Sequence, residues 1–120
     1  MDNKITIEQL KKEVQKFCED RDWDQFHNPK ELAIGISTEA NELLQLFRFK
    51  SEDDMKALMN SDKRTEVEEE LADVLYFVLR FAQMNNIDLS TIVNNKIEKN
   101  DKKYPLEKAK GCNKKYDEYE

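Results

Sequence analysis

The stretch 67-VEEELADVLYFVLRFA-82 decides the fold. At about 100° per residue, Val67, Leu71, Val74, Phe77, Val78 and Phe81 fall on one side of a helix. Its length and lack of strict alternation exclude a strand. One ionisable residue breaks the pattern: Glu70 projects between Phe77 and Phe81, inside the apolar stripe. Asp73, three residues on, falls at its edge near Met84. An unpaired carboxylate aimed at a buried face costs several kcal/mol in practice, or takes up a proton.

The helix upstream repeats the arrangement. Leu32, Ala33, Ile36, Ala40, Leu43 and Phe47 share a side, and Leu46 extends it. Glu39 projects between Leu46 and Leu32, at the stripe margin. Glu42 lies one step further out, beside Gly35. Acids three apart are neighbours on a helix surface. Converging acids repel one another, and a divalent cation relieves both the repulsion and the burial cost. All-oxygen ligands suit Mg²⁺, with Mn²⁺ as a substitute. Pattern alone also allows a second reading, in which the acids lie on a solvated face or pair with lysines of a neighbouring helix.

The rest of the chain agrees with an all-α protein. Of 120 residues, 38% are hydrophobic and 38% charged, with only two glycines and two prolines to interrupt helices. Thr6 and Gln9 form a capping-box pattern ahead of a helix near residues 7–20. Residues 21–27, RDWDQFH, read as a loop. Asn28, Pro29 and Glu31 open a helix to about Phe47. Ser51 caps a short acidic helix. Ser61 or Asp62 starts the long one, which reaches about Asn85. Asp88 or Ser90 starts a last helix that must stop before Pro105. Residues 1–120 read as one domain, with a core over about 5–104 and a polar tail over 105–120. A core drawn from so few apolar residues is thin for a monomer, which points to oligomerisation.

Charge and cysteine content exclude several classes. The net charge of −6 argues against binding a nucleic-acid polymer. Cys18 and Cys112 form no C-x-x-C, and one histidine cannot complete a zinc cluster. Two free thiols fit a reducing compartment. No apolar run reaches the roughly 18 residues of a membrane span, and no signal peptide opens the chain. A cytoplasmic protein is expected.

On the last helix, Lys96 and Asn100 project on the side shared by Ile92, Val93, Ile97 and Tyr104, with Lys103 between them. Such a pair suits phosphate oxygens and a sugar hydroxyl. A lysine stem can equally bury its methylenes and lead its charge to water. Trp23 and Phe49 flank the second helix at opposite ends. Their rings can stack on a nucleobase, or Trp23 can simply fill core space.

Together these segments resemble the MazG-like all-α nucleotide pyrophosphohydrolases. The resemblance rests on Glu39-Ala40-Asn41-Glu42 followed by Glu70-Leu71-Ala72-Asp73, with an aromatic loop before and K-x-x-x-N-x-x-x-Y-P after. RDWDQFHNPKELA, EANELLQLFRFKS, EEELADVLYF and KIEKNDKKYP are most similar to the dCTP pyrophosphatase branch. The resemblance implies a four-helix bundle completed by oligomerisation, as a homodimer or homotetramer. It implies hydrolysis of dCTP, or a related modified deoxynucleoside triphosphate, to monophosphate and pyrophosphate. It makes Glu39, Glu42, Glu70 and Asp73 the Mg²⁺ ligands. Glu39 is implied to activate water, and Lys96 to add catalytic charge. Lys96, Asn100, Lys103 and Tyr104 are implied to contact phosphate or sugar; Trp23, Phe49 and Phe77 are implied to form the base pocket. Phe49 stands where that branch often has tryptophan, Phe77 where it can have tyrosine, and Val14 where it can have histidine. Enzymes that cleave dUTP or other nucleotides share the framework, and a non-enzymatic helical interaction protein is the remaining alternative.

Overall fold

The computed structural model describes residues 1–119, and among them every regular element is helical. Helix α1 spans Ile7–Asp20, and a 3-10 turn spans Asp24–Phe26. Helices α2, α3 and α4 span Pro29–Gln45, Glu52–Met59 and Arg64–Met84. Helix α5 spans Leu89–Lys103, a short α6 spans Leu106–Ala109, and a second 3-10 turn spans Tyr116–Glu118. The chain divides into two compact units, the first Met1–Asn86 and the second from Ile87 onward.

Local capping sets most helix starts. Thr6 N donates to Gln9 Oε1 at 2.7 Å, and Gln9 N donates to Thr6 Oγ1 at 3.1 Å. Asn28 Oδ1 accepts from Glu31 N at 2.9 Å, with Pro29 in the first turn. Ser51 and Asp54 form a second reciprocal box. Asp88 Oδ2 accepts from Thr91 N at 3.1 Å. The long helix departs from expectation: it begins at Arg64 with no side-chain cap. The Ser61 hydroxyl donates to Leu58 O at 2.8 Å at the end of α3 and accepts from Lys63 N at 3.2 Å in the turn ahead of α4. The tail also departs, since α6 and a tyrosine-bearing 3-10 turn follow Pro105.

In the first unit, α4 packs most extensively on α2, then on α1, and touches α3. Cys18, Leu32, Leu58, Val67, Leu79 and Ala82 are buried. The apolar faces of α2 and α4 are wider than the contact between them. Leu71 was expected inside but is 57% exposed, and Leu75 is 47% exposed. Ala33 and Ala40 of α2 are exposed as well. A projection finds the apolar arc but not which part of it the same chain covers. At one point the two helices meet closely: a Cβ on Gly35 would lie 2.6 Å from the Phe77 ring. Gly35 is therefore needed for contact, despite the roughly 1 kcal/mol that glycine costs a helix.

In the second unit, α5 ends just before Pro105, and Tyr104 packs edge-on against Tyr116 and Tyr119, each with centroids 6.0 Å away. Cys112 is exposed and free; Cys18 of the first unit is buried and free. Among the described residues, no helix is long and apolar enough to cross a membrane.

Candidate active site

Helices α2 and α4 bring three of the four expected acids together. Carboxylate oxygens of Glu39, Glu70 and Asp73 all lie within 4.8 Å of one another. Glu39 and Glu70 are half-buried and Asp73 is exposed. Glu42 stands outside this tightest group, more exposed than its neighbour Glu39, yet close enough to interact with both Glu39 and Glu70.

The electrostatics show what the cluster lacks. Burial, then hydrogen bonding and charge from Glu42, then the charge of Asp73, push Glu39 up to about 7. Burial followed by Glu42 also raises Glu70, while its hydrogen bond with Glu39 works in the opposite direction. Carboxylates this close cannot all ionise without a compensating cation, so they share protons. Glu39 Oε2 and Glu70 Oε2 are buried with no hydrogen-bond partner. Buried polar atoms of this kind are normally satisfied, and an oxygen left without a donor is available to a cation. The donors are all carboxylate oxygens, with no histidine or cysteine among them. These residues fit a hard divalent cation such as Mg²⁺ or Mn²⁺ and fit zinc poorly.

Beside the cluster lies a cavity of about 500 Å³. Glu39 and Asp73 form its acidic wall, Trp23, Phe17, Tyr76 and Phe77 its aromatic walls, and α1 adds Glu13 and Val14. The rings meet edge to face: Phe17 with Trp23 at 5.7 Å, Phe17 with Tyr76 at 6.0 Å, and Tyr76 with Phe77 at 5.0 Å. This is a favoured aromatic arrangement. The Arg21 guanidinium lies over the Phe17 ring, 3.8 Å from its centroid. Tyr76 Oη and Cys18 Sγ are 3.0 Å apart. Burial and that contact raise the phenol, so it stays neutral.

Of the remaining expected residues, Phe49 belongs to the first unit, and the other four belong to the second. Phe49 is 90% exposed and is not among the cavity-lining residues. It adopts φ 62°, and the Arg48 guanidinium sits 4.6 Å from its ring centroid. Lys96, Asn100, Lys103 and Tyr104 belong to the second unit. Lys96 is exposed and, with Ile92, Asn95 and Lys99, lines a depression of about 250 Å³. Asn100 is half-buried and its carbonyl accepts from Tyr104 N at 2.8 Å. Lys103 Nζ lies 5.0 Å from the Tyr116 centroid, so Lys103 and Tyr104 both engage the tail.

Pattern reading missed Phe17, Tyr76 and Glu13 as wall residues. Phe17 follows Val14 by three and so shares its helix face, which was an available signal. It also missed Arg80, whose spacing of three from Phe77 and seven from Asp73 places an arginine on the inner face of α4.

Among the described residues the protein is all-helical, with a cluster of carboxylates between α2 and α4. The MazG-like family model matches residues 34–119. dCTP pyrophosphatase 1 of Rattus norvegicus is 32% identical over 112 residues, covering 92% of this chain and 66% of that protein. dCTP pyrophosphatase 1 of Homo sapiens is 32% identical over 114 residues, covering 94% and 67%. The chain thus spans about two thirds of the length of these curated relatives. The crystal structure of a pyrophosphatase from Archaeoglobus fulgidus superposes with a TM-score of 0.77 at 39% identity, covering 82% of this chain and 92% of that one. The chain belongs to the MazG-like family.

Proposed function

We propose that the chain hydrolyses a nucleoside triphosphate between its α and β phosphates, releasing monophosphate and pyrophosphate. The preferred substrate in this reading is dCTP or a modified deoxycytidine triphosphate, and the role is sanitation of the nucleotide pool. One observation carries the reading: Glu39, Glu70 and Asp73 converge from α2 and α4 with carboxylate oxygens within 4.8 Å of one another, and Glu39 and Asp73 line an aromatic cavity. The relatives named dCTP pyrophosphatase 1 support the choice of base.

Glu39, Glu70 and Asp73, joined by Glu42, would hold the Mg²⁺ ion. The bound cation supplies charge that neutralises the phosphate oxygens and the departing pyrophosphate. Glu39 orients the attacking water and accepts its proton, a role that suits a carboxylate whose proton affinity is raised by its surroundings. Trp23, Phe17, Tyr76 and Phe77 receive the base and exclude water around it. Lys96 and Asn100 keep the phosphate and sugar roles that the family resemblance implies.

Assembly as a homodimer or homotetramer belongs to the same proposal. Its support is the uncovered side of α4, where Leu71, Ala72, Val74, Leu75 and Val78 line an apolar depression of about 500 Å³. Exposed apolar surface of this kind is typical of a subunit contact.

The test is pyrophosphate release across all dNTPs, NTPs and 5-modified dCTPs, with Mg²⁺ and with EDTA. Metal-dependent release highest from dCTP or its derivatives is expected. Activity centred on another base, such as dUTP, keeps the ion cluster and overturns the base assignment. No release from a folded, metal-loaded sample overturns the enzyme reading and favours a helical interaction protein.

A further inference from the structure

The proposed chemistry does not use the most completely buried charge in the first unit. Arg80 has no exposed side-chain surface. Its Nε donates to His27 Nδ1 at 2.9 Å, its Nη1 to Gln83 Oε1 at 2.6 Å, and its Nη2 to Asp24 Oδ1. A guanidinium removed from water costs several kcal/mol unless its donors are satisfied. Here one side chain engages three separate acceptors. Gln83 is local, whereas His27 and Asp24 lie 53 and 56 residues away in the chain.

Those two distant acceptors bracket the segment that carries Trp23. Asp24 follows Trp23 directly, and the His27 ring packs edge-on to the indole with centroids 6.1 Å apart. The segment folds back on itself through Phe26 N to Trp23 O at 2.9 Å and His27 N to Asp24 O at 3.2 Å. It leaves α1 through Asp22 in the left-handed region at φ 56°. Trp23 N donates to Cys18 O at 3.1 Å, which ties the near end to α1. Arg80 ties the far end to α4. Asp73 and Arg80 stand seven residues apart, about two helical turns, with Phe77 between them. A single helix therefore carries an acid of the ion cluster, a wall of the cavity and the anchor of the opposite wall.

We propose that Arg80 is a positioning residue: by holding Asp24 and His27 it fixes the Trp23 wall of the cavity relative to the Glu39, Glu70 and Asp73 cluster. The role in catalysis rests on the nucleotide reading of the cavity given above. Loss of Arg80 frees Trp23 while leaving the acids in place, so substrate binding suffers and the chemical step does not.

Trp23 is the only tryptophan, so its fluorescence reports this wall without any need for turnover. The variants are Arg80→Met, Arg80→Lys and Asp24→Asn, each checked for helicity by circular dichroism. In Arg80→Met, acrylamide quenching of Trp23 is expected to rise about twofold and KM for the best nucleotide about tenfold, with kcat and Mn²⁺ affinity retained. Arg80→Lys restores charge but not the three-way fork, and is expected to recover only part of both effects. A folded Arg80→Met protein with wild-type quenching and KM overturns the proposal, as does a fall in kcat at constant KM. If Arg80→Met does not fold, Asp24→Asn decides, because it keeps the buried arginine and removes only the charged anchor; raised quenching supports the proposal and unchanged quenching overturns it. If the wild-type protein hydrolyses no nucleotide, the catalytic reading fails separately, and the quenching series still decides whether Arg80 holds Trp23.

Discussion

Glu70 and Leu71 are adjacent on α4 and invert the usual rule. The carboxylate has a buried oxygen with no partner, and the leucine is 57% exposed. Around Glu70 the helix presents Asp73, Phe77 and Arg80 to α2, α1 and the aromatic turn. Around Leu71 it lines an apolar depression with Ala72, Val74, Leu75 and Val78. Both faces carry an uncompensated cost. On the first it is electrostatic, and the proposed cation would relieve it; on the second it is exposed apolar area, and the proposed subunit contact would relieve it. The proposed ion and the proposed subunit contact would each answer one of these two faces.

The largest effect is expected on the acidic face. Glu70→Gln should abolish pyrophosphate release, and its helicity should remain, because the change removes a charge from a repelling cluster. Turnover near the wild-type rate would refute the ligand role. On the apolar face, the double variant Leu71→Lys, Leu75→Lys should sediment as a smaller species with unchanged helix content. Surface substitutions of this kind usually alter the stability of the fold by only about 0.5 kcal/mol. An unchanged sedimentation coefficient would remove the interpretation of this face as a subunit contact.

Gly35→Ala probes the seam between α2 and α4. The added methyl meets the Phe77 ring, with an overpacking cost of about 1–3 kcal/mol against about 1 kcal/mol of helix propensity gained. Lower thermal stability together with a higher KM is expected, because Phe77 is a cavity wall. A stabilised variant with unchanged KM would show that the ring moves without consequence.

The smallest effect concerns His27. Burial, then the charge of Arg80, lowers its proton affinity, while Asp24 partly offsets this. His27 Nδ1 accepts from Arg80, so the neutral ring carries its proton on Nε2. The folded state therefore binds a proton less readily than the unfolded state. This contribution to stability is present above the ordinary histidine value of 6.5 and is lost as pH falls below it. Thermal melts from pH 7.5 to 5 should show that decline, and His27→Gln should flatten it. An equal decline in the variant would assign the effect to other groups.

Much of this was legible from short-range pattern. Thr6, Asn28, Ser51 and Asp88 cap their helices as expected because a cap is a bond within three residues. Ser61 misled because its hydroxyl sits in the turn between the two helices, bonded to Leu58 O and Lys63 N, and α4 starts only at Arg64. Glu39, Glu70 and Asp73 were legible from their place in or beside an apolar stripe. The looser position of Glu42 was not, since it depends on how α2 rotates against α4. Leu71 was expected inside because a projection does not tell a covered arc from an open one. Arg80 escaped because its meaning depends on acceptors more than fifty residues away. The tail helix Leu106–Ala109 escaped because so short a helix carries little periodic signal of its own.

The most direct test of the central claim is a Mn²⁺ titration followed by electron paramagnetic resonance, on wild type and Glu70→Gln without nucleotide. Saturable binding to the wild-type protein is expected, with at least about tenfold weaker binding to the variant. Equal binding by both, or no saturable binding to a folded wild-type protein, would contradict it.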